Sequence, residues 1–161
     1  MKKVLLVLNV FLVLGILPIT AIGCHKTEYV SKDYGYAISY PEGWKVNSTS
    51  TWDVIIYNPN PSAQVSIVAF DKGMSLSKTV DMFIDTTVEW ARNGKVLYSA
   101  KPKLKWDWEL HYEYSDAGRK FQCQAYFLET PEFSFNIYWD APADNELYKM
   151  CQDIANSFTL R

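Results

Sequence analysis

The chain has 161 residues, 48% of them hydrophobic, enough for one domain with a proper core once a short leader is set aside. Its 16 basic and 18 acidic residues give a formal charge of −2, and without a leader holding Lys2 and Lys3 the balance is 14 against 18, or −4. That balance argues against nucleic acid, which requires a clustered basic face, so no nucleic-acid partner is expected.

Residues 1–23 have the three parts of a secretory signal: Met1-Lys2-Lys3 as the positive end, Val4 to Ile19 as the apolar run, and the mostly small Thr20-Ala21-Ile22-Gly23 before Cys24. A membrane-spanning helix needs about 20 apolar residues; this run is shorter, includes Asn9 and meets Pro18, so export is expected and permanent spanning is not. Ala21-Ile22-Gly23-Cys24 resembles a bacterial lipobox, in which the cysteine becomes the acylated first residue of the mature protein. Cys24 is therefore the expected lipidation site, with palmitate or a similar acyl group as membrane anchor; Ala21 and Gly23 would also suit simple secretion. His25 is not the Asp that would suggest inner-membrane retention. Residues 24–33 read as a short polar tether with an edge segment around Tyr29 and Val30, and 34–161 as the folded domain.

In Tyr34-Gly35-Tyr36-Ala37-Ile38-Ser39-Tyr40, the residues Tyr36, Ile38 and Tyr40 share one side of an extended segment, the alternation of a strand with one buried face. Pro41-Glu42-Gly43 then makes a tight turn that returns Trp44 to the sheet. Trp52 to Tyr57 is apolar on both sides and is expected to be a central strand, joined through Asn58-Pro59-Asn60-Pro61-Ser62 to an antiparallel partner, Ala63 to Phe70. Ser75 can cap a helix whose stripe is Leu76, Val80, Phe83, Ile84, Val88 and Ala91, ended by Gly94 after Asn93. Lys95 to Ser99 resumes an extended pattern, so the helix is a crossover on one sheet face.

The clearest alternation places Trp106, Trp108, Leu110, Tyr112 and Tyr114 on a core face and Asp107, Glu109, His111 and Glu113 on a wet one. A turn at Asp116-Ala117-Gly118-Arg119 then sets Tyr114 against Phe121, Tyr112 against Cys123, Leu110 against Ala125 and Trp108 against Phe127, so apolar positions meet throughout. Phe133, Phe135, Ile137 and Trp139 form the core side of a last long strand. Asp144 can cap a terminal helix carrying Leu147, Met150, Cys151 and Ile154. The sum is an α+β domain: an antiparallel sheet of about six to seven strands with flanking helices.

The opening order Tyr-x-Ile-x-Tyr-Pro-x-Gly-Trp-x-Val, residues 36–46, resembles the PsbP-like family, and the element order extends the likeness from about Tyr29 to Phe158. Asn156-Ser157-Phe158 is similar to the closing helix-to-strand segment of that family. The resemblance implies an α/β/α sandwich and a habit of binding protein partners; it carries no catalytic residue onto this chain.

Asp107, Glu109, His111 and Glu113 line one strand face, but a metal site needs convergence from more than one element, and a solvated face is the plainer account. With His25 in the tether, His111 is the one histidine available to a catalytic triad, and no Gly-x-Ser-x-Gly elbow or glycine-rich phosphate loop is present. No catalytic residue, cofactor or metal is assigned.

Aromatic residues make up 16% of the chain. Trp44, Trp52, Tyr57, Tyr126 and Tyr138 fall outside the main core faces and are candidates for a partner-binding groove; the alternative is that a helix covers the second sheet face and these rings pack beneath it. Cys123 and Cys151 are expected on facing core surfaces, either bonded or as two buried thiols. The expected function is an exported, lipid-anchored binding or assembly module for an envelope protein. The alternatives are a secreted small-ligand-binding protein with an aromatic pocket, and a small hydrolase.

Overall fold

The computed structural model describes residues 26–161 apart from 49–53, 60–61, 91, 103–104 and 143–144. The expected signal segment, Cys24, Trp52 and the Asp144 cap lie outside the described residues. Among the described residues no helix is long and apolar enough to cross a membrane.

The Tyr36 segment forms β2 (Tyr36–Pro41), which pairs antiparallel with β1 (Lys26–Ser31) on one side and β10 (Thr159–Leu160) on the other. Strand β1 therefore takes up most of the expected tether, residues 24–33. Tyr36 and Ile38 are buried as their alternation predicts. Ala37, expected on the open face, is buried too, because its methyl lies between Val30 and Thr159 on the flanking strands. The turn after Pro41 is closed by the Trp44 N–H, which donates to the Pro41 carbonyl at 3.3 Å.

The main sheet has seven strands: β3 (Lys45–Asn47), β4 (Val54–Pro59), β5 (Ser62–Asp71), β6 (Lys95–Ala100), β7 (Trp108–Asp116), β8 (Arg119–Glu129) and β9 (Phe133–Pro142). Their spatial order is β3-β4-β5-β9-β8-β7-β6, antiparallel throughout. The central strand is thus β9, buried along nearly its whole length on both faces. Strand β4 is next to the edge, shielded there by the three residues of β3, and it alternates: Val54 and Ile56 are buried while Ile55 and Tyr57 are half-buried.

The β7–β8 register is the predicted one, with Trp108 opposite Phe127, Leu110 opposite Ala125, Tyr112 opposite Cys123 and Tyr114 opposite Phe121. Ala117 and Gly118 both take positive φ, 47° and 78°, as a two-residue turn matched to strand twist demands. Trp106 departs from the predicted face. It precedes the strand and is free of its alternation, so it crosses to the other side and stacks on Tyr126 at 4.8 Å.

Two cores flank the sheet. On one face, Val80, Phe83 and Val88 pack on Leu110, Tyr112, Cys123, Phe127 and Tyr138. On the other, α2 (Asn145–Asn156) and the small sheet cover Val65, Ile67, Phe135, Ile137 and Trp139. Lys105 ties α2 to this layer: its Nζ donates to the Asn156 and Phe158 carbonyls beyond the helix end and lies 4.5 Å from the Trp106 ring. The face of β7 expected to be wet is half-covered. Glu109 accepts from His111 at 2.6 Å and from Gln124, and Gln124 accepts from the Tyr148 hydroxyl on α2 at 3.0 Å.

The first helix begins as α1 (Leu76–Phe83) and widens into a π-helical segment, Ile84–Trp90. Phe83 and Val88 are five positions apart, one π turn, so the wider winding lets both face the sheet. Ser75 has the extended backbone of an N-cap, but its hydroxyl makes no capping bond and pairs instead with Ser77. At the other end the left-handed conformation falls on Asn93 (φ 47°), while Gly94 is required for space: a Cβ there would sit 3.0 Å from both the Val88 and Glu113 carbonyl oxygens. Both obstacles are backbone. Gly94→Ala is therefore expected to destabilise the domain by about 1–3 kcal/mol, read as a lower urea midpoint at unchanged slope.

Candidate functional site

The register of four neighbouring strand pairs lays Tyr57, Gln64, Asp140, Cys123 and Tyr112 in one transverse row on the α1 face of the sheet. The helix covers the Tyr112 end of this row and ends at Trp90, two residues before Arg92. Beyond it no other described residue covers the face, and an open cleft of about 630 Å³ lies there between β4, β5, β9 and the β7–β8 hairpin, with Tyr57, Gln64, Arg92, Tyr114, Phe121 and Asp140 among its walls.

Asp140 is only 4% exposed, and its carboxylate is met on both oxygens. Oδ2 accepts from Arg92 Nη2 at 2.6 Å and from Gln64 Nε2 at 3.3 Å; Oδ1 accepts from the Tyr112 hydroxyl at 3.2 Å. Arg92 lies 4.6 Å over the Tyr114 ring, whose other neighbour, Phe121, is parallel to it at 4.9 Å. Burial is the largest single influence and opposes the Arg92 charge, but Asp140 together with Tyr112, Tyr114 and Cys123 outweighs it and raises the guanidinium pKa, so the residue stays cationic.

The remaining groups hold their protons. Burial, with the Asp140 charge second, pushes the Cys123 thiol far up, and the same two causes raise Tyr112, Tyr114 and Tyr138. A reactive cysteine needs the opposite shift, so Cys123 is an inert core thiol. Among the described residues no group of three or more His, Cys, Asp or Glu side chains is placed to hold a metal ion.

Of the described aromatic candidates, Tyr57 alone reaches the cleft. Trp44 packs in the α2-side core, Tyr126 lies under Trp106, and Tyr138 lies under Phe83 with ring centroids 5.1 Å apart. These three rings are 9%, 5% and 2% exposed, which corrects the reading of them as groove residues: helices cover both sheet faces. Cys123 and Cys151 are both free, and they lie in different cores on opposite faces of the sheet, which corrects the possible disulfide. Arg92, Asp140 and Gln64 were not picked out by pattern. The available signal was Asp140 itself, a charge at the end of the apolar run Phe133–Trp139.

A larger hollow, about 750 Å³, lies between Lys72, Trp106 and Glu129, but its ion pair is a 3.7 Å contact between partly exposed side chains. Its Glu129 carboxylate has one buried oxygen but is only half-buried as a side chain, where Asp140 is 4% exposed and met on both oxygens.

No protein-family model and no curated protein sequence matches the chain, whereas solved structures do. The cyanobacterial PsbP protein CyanoP from Synechocystis sp. PCC 6803 superposes with a TM-score of 0.63 at 14% identity, over 92% of this chain and 99% of that one. The fold is PsbP-like. LpqN of Mycobacterium tuberculosis, described as involved in cell envelope biogenesis, matches with a TM-score of 0.57 at 16% identity over 84% and 90% of the two chains. A Bacteroides thetaiotaomicron protein matches at 0.55 and 13%, over 83% of this chain and 48% of its own length.

Replacing Arg92 with Met leaves a buried carboxylate without its cation and is expected to cost about 3–5 kcal/mol in urea unfolding. Adding Asp140→Asn to Arg92→Met should recover part of that loss, giving a non-additive double-mutant cycle. Cys151 yields a pH prediction. Burial, with the Asp140 charge second, raises its thiol pKa from 9.0 to about 12, so unfolded chains ionise first and stability falls as pH rises from about 9 towards 12. Unfolding free energies measured between pH 8 and 11 should fall less steeply for Cys151→Ala than for wild type.

Proposed function

We propose that this chain is exported, is held at a cell envelope through an acylated Cys24, and acts as a non-enzymatic binding module whose recognition face is the Arg92 cleft. The observation that carries this reading is the cleft itself: an open concavity of about 630 Å³ over a buried ion pair. Its floor is rigid, because Asp140 is held by three side chains from three separate parts of the chain. Rigid polar groups beside a half-buried tyrosine suit recognition, since little ordering entropy is lost on contact. Thiol and phenol groups with raised pKa values suit catalysis poorly at neutral pH.

The leader and the small residues before Cys24 support export and acylation. The similarity of fold to LpqN, described as involved in cell envelope biogenesis, is in keeping with that address. Several acyl chains on one cysteine would anchor firmly, because each buried methylene contributes about 0.8 kcal/mol while a single chain is marginal.

Wild-type protein should incorporate labelled fatty acid and fractionate with membranes; Cys24→Ser should lose the label and either appear in the soluble fraction or remain an uncleaved precursor. A photo-crosslinking side chain at position 57 should give a discrete adduct in the envelope fraction, whereas one at Lys78, on the exposed side of α1, should not. Soluble, unlabelled wild-type protein would remove the anchor, and absence of the position 57 adduct would remove the cleft as recognition face.

A further inference from the structure

On the reading of the cleft as a recognition face, we infer that its ligand is a neutral saccharide, bound with a pyranose ring between Tyr57 and Arg92. Charge narrows the choice first. Among the described residues the cleft is lined by one cation, Arg92, and two carboxylates, Asp116 and Asp140, and the cation is already compensated at 2.6 Å. An anionic ligand would meet both carboxylates with no uncompensated cation to attract it. A cationic ligand would have to approach the guanidinium. A neutral ligand incurs neither cost.

Hydrogen-bonding capacity narrows it again. A guanidinium carries five N–H donors, and among the described residues Arg92 donates one side-chain hydrogen bond, to Asp140. Gln64 is held to Asp140 through its amide nitrogen, which leaves the amide carbonyl oxygen as an acceptor on the cleft floor. Donors and an acceptor therefore stand side by side. A hydroxyl both donates and accepts and can satisfy the two kinds at once, whereas a purely apolar ligand would strip water from them and return nothing.

Shape supplies the last restriction. Tyr57 and Asp140 stand two strands apart in the same row, roughly 10 Å at the usual strand spacing, with Gln64 between them. That leaves a slot whose one wall is a phenol ring and whose other is a guanidinium pinned on its far side by Tyr114. A pyranose matches it: the axial C–H face packs on the aromatic ring, and the equatorial hydroxyls point at the planar amide and guanidinium. The exposed Asn47 and Asp116 on the rim offer polar contacts to a second ring.

The test is saturation-transfer difference NMR on the full-length chain in a sugar-free zwitterionic detergent. Probes are maltose, cellobiose and diacetylchitobiose, with glucuronic acid and glucosamine as charged comparisons. At least one neutral disaccharide should bind, with the strongest transfer at ring C–H protons, and about tenfold or more tightly than either charged sugar. Tyr57→Ala should weaken it by about tenfold or more without moving the thermal unfolding midpoint. Arg92→Lys keeps a charge beside Asp140 but loses the planar donors, and should weaken binding while remaining folded. Failure of all three disaccharides, tighter binding of a charged sugar, or unchanged affinity in Tyr57→Ala would each overturn the inference. A protease-sensitive adduct at position 57 together with no disaccharide binding would overturn the saccharide alone and leave the binding-module reading standing; loss of the adduct as well would take both.

Discussion

Phe135, Ile137 and Trp139 on one face of β9 and Tyr138 with Asp140 on the other are all buried, so this strand must be covered from both sides. Each large apolar side chain taken from water contributes about 1.5–3 kcal/mol, and no neighbouring strand can cover a sheet face. A helix on each face meets the requirement. The crossover helix lies over Tyr138, while α2, the small sheet and Phe158 close over Trp139 and Phe135. Even the N-terminal β1–β2 pair serves this end, for it brings Tyr36 into edge-on contact with Phe135 at 5.8 Å and into a stack on Phe158 at 5.0 Å.

The same double burial makes Asp140 costly. A carboxylate in the interior loses several kcal/mol of hydration and persists only where a cation and hydrogen bonds replace the water. Arg92 reaches it from just past the end of the π-helical segment, with a left-handed Asn93 turning the chain away immediately afterwards. The cover and the site are thus one device. Just past the helix end Arg92 neutralises the strand's charge, and among the described residues nothing covers the sheet beyond it.

Features set by local alternation were readable from the chain. The β7–β8 pairing was fixed because a slip of one residue would have set Leu110 and Tyr112 against the face carrying Gln124. The burial of Cys151 followed from its helical stripe, but a stripe states that a face is buried and not which side of the sheet it meets. Cys123 and Cys151 consequently came out on opposite faces. Trp52 to Tyr57 looked central because Ile55 and Tyr57 are apolar; in fact they floor and wall a cleft. Arg92 and Asp140 are 48 residues apart, and a single ion pair leaves no period in the sequence.

Structures that share this fold at 13–16% identity need share only the pattern of burial that produces it. That pattern constrains β9 and its two covers tightly, since any strand with large residues on both faces requires them. The cleft is constrained far less. Its chemistry comes from Tyr57 on an outer strand and Gln64 on the next, both half-buried, and from Arg92, which is tied to the core through Asp140. The outer-strand side chains of the cleft can therefore vary more freely than the scaffold, and what they do has to be argued from those side chains and not from the fold.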